Sequence, residues 1–359
     1  MNVQTSEQRE RELHALIAPI ADELEASSVE LNNELDCNSE GVREIALHAR
    51  RYRGKRLRAA VVLLTGKACG RLVPEHTKIA AIVEMIHMAT LVHDDVLDRA
   101  DLRRRVPTVN AKFGNNTAVL LGDWIYARAF AKSTKMNDQT CSRLLAEVTA
   151  TVCRGEIEQS RAKYDFTLTE DRYIQMIDAK TASLYAASSE LGARYACESE
   201  LLVHNSREFG KNLGLAFQIV DDCLDLDGSE AVVGKSLGTD IAEGKITLPM
   251  IYMLQGAGDA ASARVQSLFN AARELEHASG EPASNGNIHN SNIHKGPLQA
   301  SAVLKLLVSE FQLSPAIERA YAEADRYIAR ALKHLQALPP SPARECLDSM
   351  AKYILERRW

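Results

Sequence analysis

The sequence predicts an all-α protein. Three observations predict it. Apolar residues make up 46 % of the 359 residues and aromatics only 5 %. Ala and Leu rather than aromatics supply that apolar share, and both favour helix. Nearly every stretch carries its apolar residues at spacings of three and four rather than two. Few β-branched runs are bounded by turns, so no sheet is expected. Charged residues are 25 % and the net charge is −5. That balance excludes a disordered chain and speaks against a nucleic-acid binder.

The elements follow in order. The opening MNVQTSEQRERE has no basic region followed by an apolar run, so no secretory signal is expected. Residues 1–38 read as an N-terminal helical segment. The apolar windows at 59–65 and 79–92 break before ~18 residues, so no transmembrane segment is expected. Pro74 and Glu75 open a helical pattern that runs to about Asp98. Thr167 to Glu170 fits a capping box. Residues 277–297 are rich in Asn, Gly, Ser and His and read as a mobile surface loop. The spacing of His277, His289 and His294 there is too irregular to favour metal. Ser314-Pro315 gives the next helix an N-cap and an N1 proline. Its stripe is Ile317, Tyr321, Ala324, Ile328, Ala331 and Leu335, and Pro339, Pro340 and Pro342 end it. The helical pattern resumes after the loop unchanged, so 1–359 reads as a single domain. Seven cysteines, an odd number without a CxxC pair, read as thiols of a reducing, cytoplasmic protein.

Two copies of one acidic motif carry the functional argument. Asp94, Asp95 and Asp98 form the first D-D-x-x-D, and Asp221, Asp222 and Asp225 the second. At ~100° per residue, positions i and i+4 lie ~40° apart, so each motif groups three carboxylates on one helix end. A solvated acidic helix end is the bland alternative for one copy. Two copies, each flanked by apolar helical sequence, favour facing clusters. Oxygen-only ligands imply a hard cation, Mg2+. About −6 of charge is balanced by three such ions. Their remaining ligand is then an anion such as a diphosphate. Basic residues sit where that anion needs them: Lys55 and Arg58 in RYRGKRLR, Arg103 and Arg104 after the first motif, Lys180 in DAKTASLY, and Lys235 and Lys245 after the second. His87 lies seven residues before Asp94, on nearly the same face.

Residues EMIHMATLVHDDVLDRADLRRRVP and GLAFQIVDDCLDLDGSEAVVGKSLGTDIAEGKITLP, with GKRLR and AKT, resemble the trans-polyprenyl diphosphate synthases, most of all the bacterial octaprenyl and solanesyl diphosphate synthases. The resemblance implies an isoprenoid-synthase helical bundle around a central cavity, usually a homodimer, in which the six aspartates hold three Mg2+ ions. It implies that Arg103, Lys180, Lys235 and Lys245, with Thr181 and Gln218, grip an allylic diphosphate such as farnesyl or geranyl diphosphate. Lys55, Arg58, His87 and Arg104 would bind isopentenyl diphosphate. Two departures from the pattern are Arg53 before Gly54, where the family has Gly, and Arg105 after the Arg pair, again where it has Gly. The expected reaction is iterative head-to-tail (1′-4) condensation to a long all-trans chain, and the small residues Ala89 and Thr90, one turn below Asp94, predict a tunnel deep enough for it. An octaprenyl-like product is expected. The alternatives are a short-chain synthase of geranylgeranyl or farnesyl length, a class I terpene cyclase, and a regulatory subunit. Lys55, Arg58 and Arg104 oppose the cyclase, and two intact motifs oppose the subunit.

Overall fold

A computed structural model of the chain describes residues 15–52, 54–227, 238–278, 307, 311 and 313–356. Arg53, Lys235, residues 1–14 and residues 279–297 of the expected loop lie outside the described residues. Two 3-10 turns, Ala18–Ile20 and Arg50–Tyr52, accompany the helices α1 (Ala21–Leu35), α2 (Glu40–Ala49), α3 (Leu57–Cys69) and α4 (Pro74–Leu97). A hairpin of β1 (Leu102–Arg103) and β2 (Val106–Pro107) follows. Then come α5 (Val109–Phe113), α6 (Asn115–Ser133), α7 (Thr140–Arg161), α8 (Glu170–Ile177), a π-helical turn Asp178–Ala182 and α9 (Ser183–Arg194). The chain closes with α10 (Glu200–Asp227), α11 (Thr239–Ala242), α12 (Leu248–Ala278), α13 (Leu313–Leu335) and α14 (Pro342–Glu356).

Helix α3 is apolar nearly all round and buried from Ala59 to Gly66. Such a helix must be covered on every side, and α9, α4 and α14 cover it. Helix α4 packs on α6 and α1, and α10 packs on α9 and α13. The N-terminal helix α1 is clamped to α6 by charge: Lys132 Nζ reaches Glu30 at 2.5 Å and Glu34 at 3.2 Å. Among the described residues no helix is long and apolar enough to cross a membrane.

Four local expectations are corrected. Among the described residues there is one sheet, an antiparallel hairpin pairing Leu102 with Pro107 and Arg103 with Val106. Its two turn residues, Arg104 and Arg105, have φ of 52° and 64°. A two-residue turn of this kind normally uses Asn or Gly, so the sequence gives no turn signal. The cap of α8 is Thr169, which accepts from Arg172 N at 3.4 Å; Thr167 turns instead to Asp165 at 2.6 Å. Helix α13 starts at Leu313, so Ser314 is already helical. Helix α12, broken at Gly258, runs through His277 to Ala278, so the first two residues assigned to the loop are helical.

Candidate functional site

Both acidic motifs stand at the C-terminal ends of long helices. Asp94 and Asp95 lie in the last turn of α4 and Asp98 caps it. Asp221, Asp222 and Asp225 lie in the last two turns of α10. A helix C-terminus carries partial negative charge, so each carboxylate in the last turn costs ~0.3–1 kcal/mol there. Asp95, Asp222 and Asp225 are also buried. Carboxylates placed against both the dipole and desolvation call for cations.

Basic side chains already approach the first motif. Arg103 grips Asp95 Oδ1 from two nitrogens, at 2.8 and 2.7 Å. Lys180 Nζ lies 4.0 Å from Asp94 Oδ2, pairs with Glu156 and donates to Gln159 Oε1 at 2.9 Å. Lys245 Nζ reaches Asp98 Oδ2 at 3.2 Å and also pairs with Glu243. Lys163 Nζ stands 3.8 Å from Asp98 Oδ1. The Lys245 contact joins the segment after the second motif to the first motif, across 147 positions of chain. Burial pushes the Asp94 carboxyl up to about 6, with Lys180 opposing and Glu156 reinforcing. Burial also raises Asp98, but Lys245, Lys180 and Lys163 outweigh it and hold that carboxyl below the usual range.

The second motif is held by neutral donors. Asp222 accepts from Tyr173 Oη at 2.6 Å and from Gln218 Nε2 at 2.7 Å. Gln218 Oε1 in turn accepts from Thr181 Oγ1 at 2.8 Å, which ties the second motif to the turn that carries Lys180. That turn is π-helical, a widened geometry frequent at functional sites. Burial, with Asp240 beside it, pushes Asp222 up to about 8. Asp225 accepts from Thr239 Oγ1 at 2.5 Å and from Asp240 N at 3.0 Å. Asp221 is half-buried at the same helix end.

A second basic group gathers on the other side of Arg103. Arg58 stacks 4.5 Å above the Tyr185 ring, and its buried Nε has no hydrogen-bond partner. Lys55 Nζ donates to Tyr353 Oη at 2.7 Å. The Arg104 guanidinium lies on Gly54: a Cβ there would sit 2.2 Å from it, so the approach needs glycine or a displaced arginine. His87 faces Arg58, Arg103 and Arg104. Burial first, and then those three cations, hold its imidazole well below the usual range, so it is neutral at pH 7. On α4 a half-buried stripe runs Glu84, His87, Leu91, Asp94 and Asp98. Thr90 is half-buried beside it, whereas Ala89 has no exposed surface.

Glu156, Gln159, Lys163, Tyr173 and Glu243 escaped the sequence reading. Glu156 and Gln159 lie three residues apart on α7 and Lys163 follows two residues past its end, a polar spacing with no local signal of its own. Among the described residues no three carboxylate, imidazole or thiol groups form a closed metal cage. Mg2+ does not need one, because it completes its shell with water and substrate phosphate. The residues fit such an ion: Asp95 Oδ2 is a buried carboxylate oxygen with no hydrogen-bond partner, and all the acidic donors are oxygens.

The chain is similar to known proteins. The Polyprenyl synthetase family profile matches residues 39–281. The chain is 37 % identical to heptaprenyl diphosphate synthase component 2 of Geobacillus stearothermophilus, over 96 % of this chain and 99 % of the relative. It is 32 % identical to octaprenyl diphosphate synthase of Escherichia coli, over 85 % of this chain and 86 % of the relative. The crystal structure of a polyprenyl synthase from Caulobacter crescentus, complexed with calcium and isoprenyl diphosphate, superposes with a TM-score of 0.83 at 28 % identity, covering 97 % of this chain and 98 % of that one.

Proposed function

The chain belongs to the polyprenyl synthetase family, and from that premise we propose how its residues do the work. It is a prenyltransferase that condenses isopentenyl diphosphate head-to-tail onto an allylic diphosphate, as its long-chain relatives do. The six aspartates are the residues that would hold Mg2+, about three ions by charge balance. When bound, those ions supply charge neutralisation of the leaving diphosphate. Lys180, Lys245 and Arg103, with Lys235, take the allylic diphosphate, and Thr181 and Gln218 fix the second motif beside it. Lys55, Arg58, His87 and Arg104 take isopentenyl diphosphate. Neutral His87 offers that anion an N–H donor without adding a repelled cation to three arginines. The single observation that carries this reading is the pair of buried carboxylate clusters at two helix C-termini, joined through Lys245 and flanked by two separate basic groups.

The chemistry follows. Departure of diphosphate leaves a delocalised allylic cation, which the isopentenyl double bond attacks. A proton is then lost, and the product is one five-carbon unit longer. The departing diphosphate is the base we assign, since the nearby carboxylates are engaged by cations and hydrogen-bond donors. Leu91 and Thr90 on the half-buried stripe line the way for an apolar chain and help exclude water. Small Thr90, half-buried on that path, supports a long product of octaprenyl-like length, whereas Ala89, expected to act with it, is fully covered. We also assign a homodimer: Val119 and Leu120 expose apolar side chains on α6, which fits a face covered by a second copy. A cytoplasmic setting fits seven cysteines without a disulfide.

The test incubates the purified chain alone with Mg2+, isopentenyl diphosphate and farnesyl diphosphate, and resolves the dephosphorylated products by length. A dominant octaprenyl-range product supports the reading. A stop at geranylgeranyl length keeps the reaction and overturns the long product. Cyclic hydrocarbon or no elongation overturns the isopentenyl site. The mass of the same preparation by light scattering tests the dimer, which a single-chain mass would overturn.

A further inference from the structure

Lys55 stands on an exposed loop, yet its ammonium is not left to wander. Its stem has four rotatable bonds, and an unrestrained lysine loses that freedom when it grips a ligand. Here the C-terminal helix has already fixed it. Tyr353, buried on α14, accepts a hydrogen bond from Lys55 Nζ at 2.7 Å. The ammonium also lies 4.9 Å from the centre of the same ring. Oxygen and ring together hold the cation by charge-assisted and cation–π attraction. Its neighbour is treated alike: Arg58 rests over Tyr185, with Nε free of a hydrogen-bond partner. Arg56, between them, points the other way and donates to Leu24 O at 3.2 Å and to Ser28 Oγ, which pins the loop to α1.

We propose that Tyr353 is a positioning residue for the isopentenyl diphosphate site, presetting Lys55 for the diphosphate from a helix 298 positions away in the chain. The inference rests on the assignment of Lys55 to isopentenyl diphosphate above. It makes affinity for one of the two substrates a property of α14, which carries neither acidic motif.

The experiment measures kcat and both KM values for wild type, Tyr353→Phe, Tyr353→Leu, Lys55→Met and the Lys55→Met/Tyr353→Leu double variant. Tyr353→Phe keeps the ring and loses the acceptor, and raises KM for isopentenyl diphosphate about three- to ten-fold. Tyr353→Leu loses both and raises it further, about ten- to thirty-fold. KM for farnesyl diphosphate stays within about two-fold in both. In the Lys55→Met background Tyr353→Leu adds nothing, which a merely structural tyrosine would not show. An unchanged KM for isopentenyl diphosphate in the Phe variant, or equal loss for both substrates, overturns the inference. So does a Leu effect that persists without Lys55. An inactive wild-type chain overturns this inference and the proposed function together, whereas an active one with unchanged KM overturns this inference alone. Tyr353→Phe keeps the buried ring, so the test survives if Tyr353→Leu fails to fold.

Discussion

Lys180 shows what one side chain does at this site. Its ammonium sits among Asp94, Glu156 and Gln159. Burial alone lowers a lysine, but Asp94 and Glu156 outweigh it and hold Lys180 above its usual range. It therefore stays charged through any working pH and can turn from carboxylate to phosphate without changing protonation. Lys180→Met should lower kcat by about 10²–10³, the scale of removing one charged donor from a developing anion. Glu156→Gln should lower kcat by only about ten-fold, because it frees Lys180 instead of removing it. Steady-state rates at saturating substrates measure both. A Lys180→Met enzyme with near-normal kcat would take Lys180 out of the reaction. Lys180 was legible in the sequence because AKT is a short linear pattern. Glu156 and Lys163 were not, because their meaning comes from where α7 crosses two other helices, and no local pattern encodes a crossing.

In the proposed reading, helix α4 carries both the metal end and the path leading away from it. Thr90 is four residues before Asp94, ~40° around the helix, whereas Ala89 is five before it, ~140° around. The burial agrees: Thr90 is half-buried and Ala89 fully covered. A phenyl ring at 90 therefore enters the path, while one at 89 must displace packed neighbours. Thr90→Phe should shorten the products by several units with little change in Tm. Ala89→Phe should cost about 1–3 kcal/mol through overpacking, read as a lower Tm. Product chromatography and thermal unfolding of the two variants decide the matter, and full-length product from Thr90→Phe would remove that residue from the path. The length of α4 was legible, since Pro74 starts it and an apolar pattern sustains it. The hairpin and the π-helical turn were not. Arg104 and Arg105 adopt left-handed backbone that their residue type does not announce, and a π turn differs from an α turn by one residue of spacing. Both irregularities hold proposed substrate-binding residues, so the unreadable pieces of backbone are concentrated where the chemistry is placed.

Across the whole molecule, the acidic clusters make stability depend on pH and on cations. Asp222 lies at about 8 in the fold against 3.8 for its ordinary value, and burial likewise raises Glu243 to about 7 against 4.5. Between those limits the folded chain binds more protons than the unfolded chain, so stability falls as pH rises. His76 and His87 act in the opposite sense, since burial lowers both, and they favour the fold as pH rises toward 6.5. Asp98, whose carboxyl is lowered, contributes stability at neutral pH that is lost only in acid. Above about pH 7.5 the histidines have nearly finished titrating in both states, and Asp222, with the tail of Glu243, is left to set the slope. The metal-free protein should therefore show a falling Tm from pH 7.5 to 8.5. Mg2+ with inorganic pyrophosphate needs the carboxylates ionised, so it should release protons on binding and flatten that slope. Thermal unfolding in EDTA and in Mg2+ with pyrophosphate, at matched ionic strength, gives both curves. A Tm in EDTA that holds level or climbs over this interval would mean that the second motif is already ionised without metal. The same fall in both conditions would mean that the cation binds somewhere other than the two motifs, and that the charge placed against two helix dipoles is balanced by lysine alone.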